Sequence, residues 1–205
     1  MRELSLHILD VLQNSLEAGA SAVALSLEES TTLDQMVIEV ADNGKGMAPE
    51  VARRASDPFY TSRTTRRVGL GLPLLAAACE RSAGQLKIAS TVGVGTTVTA
   101  TLQLSNIDRA PLGDMAETVL SVVLHQPPVH LHYRHQVDGR TFSIDSAAFR
   151  RELGGVPVSH PSVLRWLREY LAEGEASLYV EGDGDAESTQ HGGVAASEGR
   201  GAARH

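Results

Sequence analysis

From Leu4 to Ala18 the segment L-S-L-H-I-L-D-V-L-Q-N-S-L-E-A sets Leu6, Leu9, Leu12 and Leu16 three and four residues apart, the spacing of one helical face. Gly19 stops that helix. Val23–Leu27 and Met36–Ala41 have the alternation and β-branched content of strands, with Thr31–Asp34 as the turn between them. Pro49–Ala55 predicts a short helix, and Ser56–Arg67, rich in Thr, Arg and Ser without periodicity, predicts a loop. Pro73 suits the first turn of a helix reaching about Ala83, which Gly84 is placed to end. Strands at Gln85–Ser90 and Thr96–Leu104, joined by G-V-G, complete a unit whose element order implies a sheet covered on one face by helices.

After Asn106 the pattern changes. Asp114–Leu124 and Pro161–Ala172 predict helices, while Val129–Val137 and Thr141–Ile144 can pair across Asp138-Gly139. The expected organisation is therefore a first domain over 1–105, a small α/β appendage over 106–180, and a tail over 181–205. That tail is Gly, Ala, Ser, Glu and Asp with almost nothing large and apolar, and reads as disordered.

With 42% hydrophobic but only 4% aromatic residues, the core must be built from Leu, Val, Ala and Ile. The net charge of −7 offers no broad basic surface, so neither nucleic acid nor an anionic membrane is the expected partner. A lone cysteine, Cys79, excludes an internal disulfide and suits core packing. No charged start leads into an apolar span, so a cytoplasmic protein is expected.

Three segments point to chemistry. Asp42-Asn43-Gly44-Lys45-Gly46-Met47 follows a predicted strand. Its glycines permit a tight turn and close backbone approach, and an Asp at a strand end can accept from an amino group, although D-N-G is also an ordinary turn. On the first helix, Asp10 and Asn14 are four residues apart and share a face, where an amide oxygen can hold Mg²⁺ and a carboxylate can polarise water. Gly69-Leu70-Gly71-Leu72 leads into a helix, whose free N–H groups can receive phosphate oxygens. A P-loop would need Lys-Ser or Lys-Thr after its last glycine, and a dinucleotide fold a third glycine and repeated βαβ units; neither is present.

In their order and separation these segments resemble the GHKL superfamily of histidine kinases, gyrases, heat-shock chaperones and MutL-type repair proteins. D-V-L-Q-N-S-L-E-A-G-A is similar to its N box, D-N-G-K-G-M to its first glycine box, V-G-L-G-L to its second and G-V-G-T-T to its third. The resemblance implies a two-layer α/β sandwich of the Bergerat type, with helices on one face of a mixed sheet, and ATP bound under a lid. It further implies that Asn14 binds Mg²⁺ and phosphate, Asp42 receives the adenine amino group, and Gly44 and Gly46 shape the purine pocket. Thr96 would support Asp42 and the base, Gly69 and Gly71 would hinge the lid, and Met47, Leu70 and Leu72 would line the site. Arg63, Arg66 and Arg67 can meet phosphate or form a solvated basic loop.

D-P-F-Y-T-S-R-T-T-R-R-V-G-L-G-L-P-L-L is similar to the histidine kinase branch, whereas N-S-L-E-A-G-A-S is closer to the MutL-type N box, with Glu17 where kinases carry a basic residue. Asp10 stands where hydrolysing members have a longer glutamate. Only thirteen residues precede Asn14, so the expected activity is transfer of the γ-phosphoryl group to a protein supplied in trans. The alternatives are slow hydrolysis with Asp10 as base, closure being coupled to homodimerisation, or an anti-sigma-like binding module. His7 is expected to be structural rather than a phosphoacceptor. His130, His132 and His135 have metal-ligand spacing but are expected to sit on a solvent-facing strand edge.

Overall fold

The computed structural model describes residues 3–56 and 71–180. The expected loop beyond Ser56, together with Arg63, Arg66, Arg67, Gly69 and Leu70, and the tail over 181–205 lie outside the described residues.

The elements are α1 (Leu4–Glu17), β1 (Ala22–Ser30), β2 (Gln35–Asp42), α2 (Pro49–Arg54), α3 (Gly71–Arg81), β3 (Gln85–Thr91), β4 (Gly95–Gln103), α4 (Met115–Val123), β5 (His130–Val137), β6 (Arg140–Asp145), α5 (Ser146–Glu152) and α6 (Pro161–Ser177). Among the described residues the strands form a six-stranded sheet in the order β3-β4-β2-β1-β5-β6. The β1–β5 pair is parallel and the others antiparallel, so the sheet is mixed.

Alternation along each strand decides the layers. Val23, Leu25 and Leu27 of β1, Met36, Ile38 and Val40 of β2, and Val98, Ala100 and Leu102 of β4 are buried on one face. The intervening Ala24, Glu28, His132 and Arg134 are exposed on the other. Helices α1, α3 and α4 cover the apolar face through Leu4, Ile8 and Leu12, Leu75 and Cys79, and Met115, Val119 and Leu120. This is a two-layer α/β sandwich. β5 runs alongside β1 from Ala22↔His130 to Glu29↔Val137, so strands of the 106–180 segment continue the sheet of the first half and share its core.

Several local outcomes differ from expectation. In α1 the buried stripe is Leu4, Ile8, Val11, Leu12 and Ser15; Leu6 is 42% exposed. Leu9 and Leu16 instead line a groove against Ser121, Val122 and His125. The helix is apolar over more than one stripe, and packing on the sheet chooses between them. After α3 the left-handed residue is Ala83 (φ +52), not Gly84. Gly84 closes the helix by donating its N–H to the Cys79 carbonyl, 2.8 Å away. A Cβ on Gly84 would lie 1.8 Å from the Thr101 carbonyl oxygen, so close approach to β4 requires the glycine.

Strand β1 runs past Leu27 to Ser30 because its backbone is paired on both sides, although Glu28 and Glu29 break the apolar alternation. Helix α6 continues past Ala172 through Gly174, where a Cβ would strike the Phe142 ring at 2.2 Å. Helix α5 was not anticipated; Asp145 caps it by accepting the N–H groups of Ala147 and Ala148 at 2.8 and 2.9 Å.

The three histidines of β5 divide between faces. His130 and His132 are exposed, and His130 meets Asp145 at 3.0 Å. His135, expected at a solvent-facing edge, is 0% exposed. Its ring bridges Glu175 (2.8 Å) and Glu29 (3.2 Å), and those carboxylates accept from Tyr133 (2.7 Å) and Tyr179 (2.6 Å). Burial alone would lower its pKa, but the two carboxylates raise it to about 9. Among the described residues no group of three or more His, Cys, Asp or Glu is arranged to hold a metal ion.

Candidate functional site

The site is built around the end of β2. Alternation places the Asp42 side chain on the helix-covered face with Met36, Ile38 and Val40. Each carboxylate oxygen is held by one donor. The Gly44 N–H reaches Oδ1 at 2.8 Å and the Ser15 hydroxyl reaches Oδ2 at 2.8 Å. Ser15 Oγ also lies 3.3 Å from the Val11 carbonyl, but its single proton goes to the shorter, charged partner. With one donor per oxygen, each still has lone-pair capacity for a ligand amino group.

The loop after Asp42 is fixed by its own amide. Asn43 Oδ1 accepts from the backbone of Ser21 and Ala22, both at 2.9 Å, and Asn43 Nδ2 donates to Ser21 Oγ. Gly44 is buried, and a Cβ there would sit 2.8 Å from Ala18 Cβ and 3.0 Å from Asp42 Oδ1. Gly46 (φ +65) faces the β3–β4 turn, where a Cβ would lie 2.0 Å from the Thr91 carbonyl oxygen. At Gly95 (φ +140) a Cβ would lie 1.9 Å from the Asp42 carbonyl oxygen. The first and third glycine segments therefore need glycine partly to pack against each other.

Thr96 pairs with both Asp42 and Ser90, which puts the three side chains in one row across β3, β4 and β2. Ser90 Oγ lies 2.8 Å from Thr96 Oγ1, accepts the Met47 N–H at 2.8 Å, and is 3.0 Å from the Gly95 carbonyl. Met47 is thus anchored by its backbone while its side chain stays half-buried.

On α1, Asp10 and Asn14 are both half-buried and face the same way. Gly71 opens α3 directly against Asp10, since a Cβ on it would be 2.8 Å from Asp10 Cβ and 3.3 Å from Oδ2. Leu72 packs on the core beside it. A carboxylate thus lies at the positive end of the α3 dipole. One turn earlier, His7 is 2% exposed with no hydrogen-bond partner for Nδ1 among the described residues. Burial, then the N-terminal charge, lowers its pKa, so the ring is neutral and enclosed, as suits a packing role.

The structure therefore brings together Asp10, Asn14, Asp42, Gly44, Met47, Gly71, Leu72 and Thr96 where α1, α3 and the β2 end meet. Ser15 and Ser90 were not anticipated. Ser15 was legible as the neighbour of Asn14 on the buried stripe, and Ser90 as the register partner of Thr96 once the G-V-G turn is counted.

Comparison with known proteins identifies the family of the first half of the chain. Residues 2–106 match the family described as histidine kinase-, DNA gyrase B-, and HSP90-like ATPase. Sporulation kinase C of Bacillus subtilis is 29% identical over 104 residues, 51% of this chain and 24% of that protein. The sensor protein kinase FleS of Pseudomonas aeruginosa is 34% identical over 110 residues, 54% of this chain and 27% of that protein. The chain thus spans about a quarter of the length of these relatives. A solved N-terminal domain of a DNA repair protein overlaps 70% of this chain and 52% of its own, with TM-score 0.48 and 16% identity. No described helix is long and apolar enough to cross a membrane. Residues 2–106 are accordingly a histidine-kinase-like ATP-binding domain, and the chain belongs to the histidine kinase-, DNA gyrase B- and HSP90-like ATPase family.

Proposed function

We propose that this chain binds ATP with its adenine amino group on Asp42 and its phosphates between Asn14 and the first turn of α3, and passes the γ-phosphoryl group to a separate protein. The observation that carries the proposal is Asp42 itself, a carboxylate on the helix-covered face whose oxygens are oriented by Ser15 and Gly44 yet not saturated. Gly44 and Gly71 support it, because each leaves open a position that a Cβ would fill beside a polar site residue. Asn14 fits Mg²⁺ as a neutral oxygen ligand on the same helical face as Asp10. When bound, the ion would neutralise charge on the phosphates.

In the transfer the bond between the γ-phosphorus and its bridging oxygen breaks, a bond from that phosphorus to the acceptor forms, and ADP leaves. The residues of this chain position the nucleotide and receive its charge. Arg63, Gly69 and Leu70 belong to the proposed site on the resemblance of their segment alone. A second reading, slow hydrolysis with Asp10 orienting water, has support from the contact of Asp10 with the opening of α3.

The test is to incubate the full chain with Mg²⁺ and γ-labelled ATP, with and without cell extract. Label on a protein supports transfer. Label released as free phosphate, and lost on Asp10→Asn, supports hydrolysis instead. Label that stays on bound ATP overturns both and leaves a binding module.

A further inference from the structure

Three partners surround the Ser90 hydroxyl, and their chemistry fixes where its proton lies. The Met47 N–H (2.8 Å) can only donate, the Gly95 carbonyl (3.0 Å) can only accept, and Thr96 Oγ1 (2.8 Å) can do either. A hydroxyl has one proton and two lone pairs. All three contacts are satisfied in one arrangement only: Ser90 donates to Gly95 and accepts from both Met47 and Thr96. Were Ser90 to donate to Thr96 instead, Ser90 Oγ and the Gly95 oxygen would face each other at 3.0 Å as two acceptors. The Thr96 proton therefore points at β3, and its lone pairs are left for the pocket.

Asp42 stands directly opposite Thr96 on β2, so their side chains are neighbours on one face with Cβ atoms about 5 Å apart. An amino group directs its two N–H bonds about 120° apart, so it can be met by one acceptor from each of two neighbouring side chains. We infer that Ser90 is a positioning residue for base selection: by holding Thr96 as an acceptor beside Asp42, it makes the pocket edge take a purine bearing an exocyclic amino group and reject one bearing a keto oxygen. The inference rests on the ATP site proposed above.

The test measures affinities of the full chain for ATP and for ITP, whose base carries a keto oxygen in place of the amino group, by titration calorimetry. Wild type is expected to prefer ATP. In Ser90→Ala the Thr96 hydroxyl is released to rotate and donate to the keto oxygen, so the ATP-over-ITP ratio should fall by about tenfold, the worth of one hydrogen bond. Ser90→Thr, which keeps a hydroxyl, should retain the ratio. In a Thr96→Val background, Ser90→Ala should leave the ratio unchanged, because the rotor it controls is gone. A packing defect would weaken both nucleotides together and leave the ratio intact. If Ser90→Ala does not fold, Ser90→Cys carries the same expectation, since a thiol accepts weakly.

A ratio in Ser90→Ala equal to wild type, or one that shifts equally with Val at position 96, overturns the inference while the ATP site stands. Wild type that binds neither nucleotide overturns the ATP site itself, and does so before any variant is made.

Discussion

Raising the pH titrates the buried cluster that joins α6 to the sheet. His135 lies between Glu29 of β1 and Glu175 of α6, with Tyr133 and Tyr179 closing the cluster. Its folded pKa of about 9 exceeds the ordinary 6.5. The folded state therefore binds the proton more tightly, and the resulting stability is complete below 6.5 and is lost as pH rises through 9. At about 1.4 kcal/mol per pH unit, the loss is on the order of 3 kcal/mol. For a chain of this size that corresponds to a fall in Tm of roughly 6–12 °C.

Other groups bound the useful window. His7 acts with the opposite sign: its folded pKa is lowered from 6.5, chiefly by burial, so stability rises with pH until that value is passed. Glu29 is held below its ordinary 4.5 despite burial by hydrogen bonds from His135 and Tyr179, so its contribution is lost only as pH falls into the acid range. Burial pushes the Cys79 thiol from 9 up to about 11, which matters only above the window. Thermal or urea unfolding between pH 7 and 9 thus isolates His135. The comparison is with His135→Gln, which leaves Glu29 and Glu175 facing without a cation and should cost about 3–5 kcal/mol at pH 7. The variant should also lose the downward slope toward pH 9. Parallel pH curves for the two proteins would refute the assignment of a protonated His135.

Two glycine substitutions separate stability from binding. Gly84→Ala drives a Cβ to 1.8 Å from the Thr101 oxygen; it should lower stability by about 2–3 kcal/mol, read by urea unfolding, with ATP affinity of the folded protein unchanged. Gly44→Ala places a Cβ 2.8 Å from Ala18 Cβ and 3.0 Å from Asp42 Oδ1, and by displacing that carboxylate it should weaken ATP binding by at least about tenfold in calorimetry.

The first half of the fold was largely legible because its signals are local. The turn at Thr31–Asp34, the stop at Gly19 and the D-N-G segment each depend on residues next to one another, and each appears where expected. What sequence periodicity could not convey was the third dimension. The spacing of α1 points to a stripe through Leu6, Leu9, Leu12 and Leu16, whereas packing buries the one through Leu4, Ile8, Val11 and Leu12. The imidazole of His135 has its carboxylate partners 40 and 106 residues away, a separation that no spacing rule covers. Ser90 differs, because its partner Thr96 is only six residues away across the G-V-G turn and follows from counting the hairpin register.

The most consequential long-range feature is the parallel pairing of β1 and β5, since it ties the second half of the chain to the proposed nucleotide site through backbone. The His130 N–H is bonded to the Ser21 carbonyl at 2.9 Å. Ser21 and Ala22 in turn donate to the Asn43 side chain, which fixes the loop carrying Gly44 and, through it, Asp42. Any displacement of the start of β5 must either break its bond to Ser21 or move Ser21 and strain both Asn43 contacts. Two packed strands do not deform gradually, because a slip of one residue would turn every buried side chain outward. The 106–180 segment and the Asp42 loop consequently share one backbone hydrogen-bond network and hold one another in register.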